Sequence, residues 1–155
     1  MTVELTGLRD RVAVVTGAGR MRSIGRCIAV ELARAGCDVV VTGSGRPPDQ
    51  YPDDEKQAGW RDIESVAEEV RALGRRAVTA VSDVADEAAV DALLQRVIDE
   101  FGQVDFLVNN AAASRGKDRV PVVEMPVDEW DKVLRVNVRG TFLMSRAFGR
   151  QMIAQ

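Results

Sequence analysis

The sequence predicts an α/β domain with a four-stranded parallel sheet in the order 3-2-1-4 and helices on both faces. Short apolar, β-branched runs alternate with amphipathic helical patterns, which is typical of a parallel sheet buried on both sides. A glycine-rich turn separates the first run from the first helix. The chain has 155 residues, of which 46% are hydrophobic, enough for one domain with a sizeable core. We therefore treat residues 1–155 as a single domain.

The first half of the chain contains two predicted strands and the first helix. An apolar run at residues 11–16 predicts the first strand, and residues 24–35 predict a helix that Gly36 ends. Residues 38–42 form the second strand. Residues 43–59 are rich in Gly, Pro and Asp and predict a long loop.

The second half repeats the alternation. Apolar residues recur every three or four positions over about 60–73, which predicts a helix closed by Gly74. A third strand follows at 77–81, and Asp86 caps a helix that runs to Phe101.

The fourth strand is expected at residues 104–108. A loop of mixed charge leads from it to a last helix, which begins near Asp128 and runs to the terminus. Right-handed crossovers place a ligand crevice at the carboxyl ends of these strands.

Composition excludes several classes of protein. The net charge of -3 argues against nucleic acid or an anionic membrane as the main partner, and no apolar run approaches the roughly 20 residues that span a bilayer. No signal-peptide core is found, so a cytoplasmic location is expected. The chain has no histidine, which excludes Ser-His-Asp and Cys-His hydrolases, and with two cysteines no metal site is expected. Cys27 and Cys37 are interpreted as small buried residues.

The turn from Thr16 to Gly25 directs backbone N–H groups toward a phosphate. Gly17 suits the tight turn and Gly25 suits close packing of helix on strand. Ser23 either caps the helix or donates to a phosphate oxygen, and Arg22 adds positive charge. A Walker A loop is excluded because no Gly-Lys-Ser/Thr occurs.

The end of the second strand bears on the choice of cofactor. NAD-binding domains place an acidic residue there, on the ribose 2′-hydroxyl. This chain has Gly43 at that position, so no carboxylate there would repel a 2′-phosphate. Ser44 and Arg46, which follow it, could bind the phosphate. We expect NADP in preference to NAD. Alternatively, Arg46 is only a solvated loop residue.

Polar residues follow the third and fourth strands as well. Asp83 precedes Val84 at the crevice edge, where a carboxylate can accept from an adenine amino group. Asn109 and Asn110 can tie neighbouring strands and a ribose together. On the last helix Asn137 is expected in the middle of an apolar face, where an unpaired polar group costs about 1–3 kcal/mol. A stripe of four arginines is expected to be solvated: Arg135, Arg139, Arg146 and Arg150.

Taken in order, these motifs resemble the short-chain dehydrogenase/reductase family over essentially the whole chain. The motifs are Thr16-Gly17, Ser23-Ile24-Gly25, Asp83-Val84, Asn109-Asn110-Ala111 and Val136-Asn137-Val138. The resemblance implies a Rossmann-type fold and a small carbonyl or alcohol substrate. It also implies a homo-oligomer for the complete protein, with the last helix packed on its symmetry mate.

The resemblance further implies a role for each motif. The pyrophosphate would lie on Gly17, Ser23, Ile24 and Gly25, the adenine on Asp83 and Val84, and the ribose on Asn110 and Ala111. Asn137 would be the asparagine of an Asn-Ser-Tyr-Lys tetrad, where it keeps a helix kinked and holds a proton-relay water.

The sequence departs from the family pattern at four points. The glycine turn is two residues longer than usual and resembles the enoyl reductase branch, Ala112 replaces a glycine, and residues 44–60 lengthen the second crossover. The family's Tyr-x-x-x-Lys pair is absent, because the one tyrosine, Tyr51, is followed four residues later by Glu55. The complete enzyme would interconvert hydroxyl and carbonyl groups by hydride transfer with NAD(P). This chain alone is expected to be inactive, because no phenol with a lysine partner is present.

Two other interpretations remain open. One is a non-catalytic dinucleotide-binding module, or a subunit that needs a partner, and the wide apolar arc of the last helix favours it. A methyltransferase of similar topology has less support, since such enzymes place an acidic residue where this chain has Gly43.

Overall fold

A computed structural model describes residues 7–114, 116 and 118–155. The strands are β1 (Val12–Val15), β2 (Asp38–Gly43), β3 (Ala77–Val81) and β4 (Phe106–Val108). The helices are α1 (Ile24–Arg34), α2 (Asp53–Gln57), α3 (Ile63–Ala72), α4 (Glu87–Phe101), α5 (Val127–Leu134) and α6 (Thr141–Ala154). A π-helical segment, Arg135–Gly140, joins α5 to α6, and 3-10 turns lie at Pro48–Gln50 and Val122–Glu124.

The four strands form one parallel sheet in the order β3-β2-β1-β4, as predicted. Val14 on β1 is level with Val40 on β2 and with Leu107 on β4. Since all strands run the same way, the turns after β1, β2, β3 and β4 meet at one edge of the sheet. That edge carries the predicted site residues.

Alternating side chains of β1 enter two separate cores. Val12 and Val14 pack with buried residues of α4 and α6 on one face of the sheet. Ala13 and Val15 pack with buried residues of α1 and α3 on the other. The sheet is thus covered on both faces, which explains why its strands are apolar throughout rather than alternating.

The ends of the helices follow their predicted signals. Asp86 accepts a hydrogen bond from the Ala89 N–H at 3.0 Å and caps α4. Gly36, Gly74 and Gly102 all have positive φ just beyond α1, α3 and α4. Such backbone conformations favour glycine, which fixes where these helices stop.

Four local expectations were wrong. The predicted loop at 43–59 contains the short helix α2, and α3 begins at Ile63 rather than near residue 60. The last helix is interrupted by its π-helical segment instead of running evenly. Cys37 is buried, as predicted, but Cys27 is exposed.

Candidate functional site

The turn after β1 leads directly into the N-terminus of α1. Ser23 is the N-cap, and its Oγ accepts from the Arg26 N–H at 3.2 Å and donates to the Arg20 carbonyl at 2.9 Å. The first turn of α1 carries no acidic residue, and Ile24 is 73% exposed. The helix therefore presents its partial positive charge at the carboxyl edge of the sheet, where an anion is stabilised.

Two glycines let this turn approach the end of β4. Gly17 has φ +65°, and a Cβ added there would lie 2.7 Å from the Ala111 Cα. A Cβ on Gly25 would lie 2.5 Å from the Asn110 Nδ2 and 2.9 Å from the Ala18 Cα. Neither position has room for a side chain, which matches the reasons given for glycine at each.

Hydrogen bonds fix the same approach. The Asn110 Nδ2 donates to the carbonyls of Thr16 and Gly17 at 2.8 and 3.1 Å. The Thr16 Oγ1 accepts from the Asn110 and Ala111 N–H groups, both at 3.0 Å, and donates to the Val108 carbonyl at 3.1 Å. Asn110 and Ala111 thus belong to the framework that shapes the glycine turn, as the paired amides suggested. Asn109 instead donates to the Ser145 Oγ on α6.

The two buried threonines beside the site give a matched test of this framework. The Thr42 hydroxyl, at the end of β2, has no hydrogen-bond partner among the described residues. Thr42→Val should raise the free energy of unfolding by about 1 kcal/mol, since an unsatisfied buried hydroxyl is removed. Thr16→Val should lower it by about 2 kcal/mol, since two N–H groups lose their acceptor. Urea denaturation measures both, and a destabilised Thr42→Val would mean that its hydroxyl does bond in solution.

Asp83 and Val84 fasten the π-helical segment to the sheet edge. The Asp83 Oδ1 accepts from the Ala85 N–H and its Oδ2 from the Arg135 Nη2, both at 2.9 Å. Burial raises the pKa of Asp83, but these two donors outweigh it and leave the pKa below its ordinary value. Val84 is buried, and a Cβ on Gly140 would lie 2.7 Å from its Cγ2.

The arginine stripe lies at the solvent-exposed surface, as expected, and three of its members also bind groups that follow β3. Arg135 binds Asp83, as above. The Arg139 Nε donates to the Ala85 carbonyl at 3.4 Å, and Arg146 pairs with Glu87. All three partners lie in or just after the turn that follows β3, so this side of the helical region faces that turn.

Asn137 lies in the π-helical segment and is exposed, so its expected place within an apolar face was wrong. Its Oδ1 accepts from the Ala113 N–H at 2.8 Å, and its carbonyl accepts from the Thr141 Oγ1 at 2.8 Å. A π-helical turn shifts the helix register and is often found at functional sites. Asn137 therefore ties a distorted helix to the chain after β4.

The residues after β2 are arranged differently from the expectation. Ser44 is exposed, and the Arg46 Nη2 donates to the Glu55 Oε2 at 2.8 Å and to the Asp62 Oδ1 at 2.9 Å. Arg22 is 80% exposed and pairs with Asp54 at 3.2 Å. The premise that no carboxylate lies near the end of β2 was wrong, since residues distant in sequence bring two.

Residues 44–62, here called the crossover segment, cover the glycine turn. The Glu55 Oε1 accepts from the Met21 N–H at 2.9 Å and from the Arg20 Nε at 3.0 Å. The Trp60 Nε1 donates to the Gly19 carbonyl at 2.7 Å. Sequence reasoning missed Glu55, Trp60 and Asp62. An acid and a tryptophan within a Pro-rich loop were the available signal.

The described part of the chain contains neither a cluster of metal ligands nor a membrane-spanning helix. Residues 7–114, 116 and 118–155 contain no group of three His, Cys, Asp or Glu side chains arranged to hold a metal ion. No helix in those ranges combines the length and hydropathy needed to cross a bilayer.

Comparison with known proteins identifies the family. Residues 11–155 match the family model for short chain dehydrogenase. The chain is 37% identical over 144 residues to the short-chain dehydrogenase/reductase eriH of Hericium erinaceus, covering 93% of this chain and 51% of that protein. It is 34% identical over 155 residues to the 2-dehydro-3-deoxy-D-gluconate 5-dehydrogenase of Escherichia coli, covering 100% and 53%. This chain belongs to the short-chain dehydrogenase/reductase family of oxidoreductases.

The structural comparison agrees. A crystal structure of NAD+-bound xylitol dehydrogenase superposes with a TM-score of 0.79 at 33% identity, covering 96% of this chain and 50% of that one. The fold is thus the Rossmann-type sheet of that family. The chain spans about half the length of the curated relatives it matches. Neither these relatives nor this structure is named an enoyl reductase, so that finer resemblance stays a prediction.

Proposed function

We propose that this chain binds the adenosine diphosphate half of a nicotinamide dinucleotide. The observation that carries the proposal is the N-terminus of α1, capped by Ser23, free of acidic residues in its first turn and open beside Ile24. The whole protein would be an oxidoreductase that interconverts hydroxyl and carbonyl groups of a small molecule. The bound dinucleotide would supply or accept the hydride.

The residues around the turn have distinct roles in this proposal. Because Gly17 and Gly25 have no side chains, the turn packs closely against the end of β4. The amides of Ser23, Ile24 and Gly25 can then approach the diphosphate. Arg22 adds positive charge beside them.

The turns after β3 and β4 would border the adenosine. Asp83 and Val84 would border the adenine, with Asp83 kept charged by its low pKa. Asn110 and Ala111 would border the ribose. These assignments follow from position at one sheet edge and from the family resemblance.

The proposal for catalysis concerns Asn137 and the missing tyrosine–lysine pair. Asn137 would keep the helix distorted and position a proton relay. The hydrogen bond that it accepts from the Ala113 N–H supports this role. Tyr51 does not replace the family's catalytic tyrosine, because its ring lies 4.5 Å from the Arg46 guanidinium carbon, within the crossover segment. Burial raises the pKa of Tyr51. A phenol with a raised pKa is a poorer proton donor. We propose that the chain by itself does not turn over substrate.

The ion pairs of Arg46 bear on whether the cofactor is NAD or NADP. NADP was expected on the basis of an arginine free to bind a 2′-phosphate. Arg46 is instead bound by Glu55 and Asp62. A 2′-phosphate would have to displace one of these carboxylates, and we therefore propose NAD.

The apolar surface of the last helical region bears on partners. Four residues of α5, the π-helical segment and α6 are between 38% and 60% exposed: Trp130, Leu134, Val138 and Phe142. We propose that this surface is an interface in a homo-oligomer of the complete protein. The same surface is compatible with a non-catalytic dinucleotide-binding subunit. Measurements of cofactor binding and of turnover together distinguish such a subunit from an oxidoreductase.

Titration of the 155-residue chain with NAD+ by calorimetry tests the function. Binding should be saturable, ADP-ribose should compete within about tenfold of NAD+, and nicotinamide mononucleotide should not compete. This pattern is expected because the proposed contacts lie on the adenosine diphosphate half. Absence of binding would contradict the proposal, and competition by the mononucleotide alone would contradict the assignment of the half-site.

A hydride-transfer assay on the same sample tests the second half of the proposal. No reduction of NAD+ above the no-enzyme rate is expected with simple alcohols. Turnover would contradict the assigned inactivity. The non-catalytic subunit would gain support if the complete protein also bound the cofactor without turnover.

A further inference from the structure

We propose that Asp62 binds the adenosine ribose of the cofactor and selects NAD over NADP. This inference rests on the proposed function. NAD-binding domains have an acidic residue on the ribose at the end of β2, where this chain has Gly43. We assign that role to Asp62, the last residue of the crossover segment.

The location of the Asp62 carboxylate is the first argument. A Cβ added to Gly43, the last residue of β2, would lie 3.3 Å from the Asp62 Oδ2. A Cβ added to Gly19, in the turn after β1, would lie 2.3 Å from the Asp62 Oδ1. The carboxylate therefore lies between the end of β2 and the glycine turn. In dinucleotide-binding sheets this is where an acid reaches the ribose hydroxyls.

The two glycines are the second argument. Any side chain at Gly19 would overlap the carboxylate, and one at Gly43 would come within 2.9 Å of the Ile63 Cγ2. Neither residue has a positive φ, so turn geometry does not require glycine there. The absence of a side chain at Gly19 is therefore explained by the space that Asp62 needs, whereas at Gly43 the nearer obstacle is Ile63.

The state of the two carboxylate oxygens is the third argument. The Asp62 Oδ1 accepts from Arg46 at 2.9 Å, which holds the side chain in place. No described residue donates a hydrogen bond to the Oδ2, and the Asp62 side chain is 11% exposed, so this oxygen is open to a donor from a ligand. A ribose diol offers O–H donors that this oxygen can accept.

The charge around Asp62 opposes a phosphate. Glu55 is 2% exposed and contributes a second carboxylate on the same arginine. Burial raises the pKa of Glu55, but Met21, Arg46 and Arg20 together lower it below its ordinary value, so Glu55 stays charged near neutral pH. A 2′-phosphate, with close to two negative charges, would be repelled by both acids.

The backbone conformation of Asp62 is unusual for a residue with a side chain, and it suggests a variant for the test. Its φ of 51° and ψ of -127° are values that favour glycine. An aspartate is strained there, which indicates a side-chain role that glycine cannot supply. Asp62→Gly relieves this strain, which offsets the ion pair with Arg46 that it loses.

The test compares NADH and NADPH binding by fluorescence titration in the wild-type chain, Asp62→Asn and Asp62→Gly. The wild type should bind NADH at least about tenfold more tightly than NADPH. Both variants should lose most of this preference, and Asp62→Asn should gain affinity for NADPH, a change that unfolding cannot produce. Asp53→Asn removes an exposed carboxylate from the same segment and should keep the wild-type ratio.

Each other result overturns a defined part of the account. If the wild type binds neither cofactor, the proposed function and the assignment of Asp62 both fail. If it binds NADPH as well as NADH, or more tightly, only the assignment fails. The assignment also fails if Asp62→Asn and Asp62→Gly both keep the wild-type ratio, or if Asp53→Asn abolishes it.

Discussion

Replacement of Gly17 by alanine is expected to abolish cofactor binding and to lower the free energy of unfolding by about 3 kcal/mol. The left-handed φ of +65° costs an alanine about 1–2 kcal/mol. The new Cβ would lie 2.7 Å from the Ala111 Cα, which is backbone and cannot rotate away. Overpacking of this kind adds about 1–3 kcal/mol. The turn must move, and its amides move with it.

Gly74→Ala is the matched control. Gly74 has φ +79°, but a Cβ there would meet nothing within 4 Å. It should cost only the backbone strain, about 1–2 kcal/mol, and leave NAD+ affinity unchanged. Urea denaturation and calorimetric titration measure the two effects. Equal costs in both variants would contradict the close approach of Gly17 to Ala111.

Glu55→Gln should lower the free energy of unfolding by about 2–3 kcal/mol at neutral pH, because three donors share one buried carboxylate. Arg46 keeps Asp62 as a partner, and Arg20 is half exposed, which limits the loss. The surface substitution Glu68→Gln, which removes an exposed pair with Arg61, should lower the free energy of unfolding far less than Glu55→Gln does.

The effect of Glu55 depends on pH in a defined direction. Burial raises its pKa, and the donors around it lower the pKa further than burial raises it. Because the folded pKa is depressed, the stabilisation is complete above the ordinary glutamate pKa of about 4.3 and is lost as pH falls through the folded value. The difference between wild type and Glu55→Gln should therefore shrink below about pH 4. A difference that stays constant down to pH 3 would contradict the depressed pKa.

Local patterns were sufficient to predict the elements of the sheet. The apolar run in β1 and the periodicity in α4 each encode one element, whereas the strand order agrees with the Rossmann-type fold that the family resemblance implies. Gly17 and Gly25 were predicted correctly as positions without room for a side chain. In both cases the signal lies within a few residues of its effect.

The environment of Arg46 could not be predicted in the same way. Its partners Glu55 and Asp62 lie 9 and 16 residues away. Whether they meet depends on how the crossover segment folds back over the glycine turn, which composition does not encode. Asn137 was misplaced for a related reason. A regular 3.6-residue wheel puts it among apolar residues, but the π-helical segment changes the register.

A crystal structure of this chain soaked with excess NAD+ would test directly whether the N-terminus of α1 binds the diphosphate. Electron density for the diphosphate is expected within hydrogen-bonding distance of the Ser23–Gly25 amides, with the adenosine ribose beside Asp62. Empty density over that helix N-terminus at saturating NAD+, or a dinucleotide bound elsewhere, would contradict the proposal.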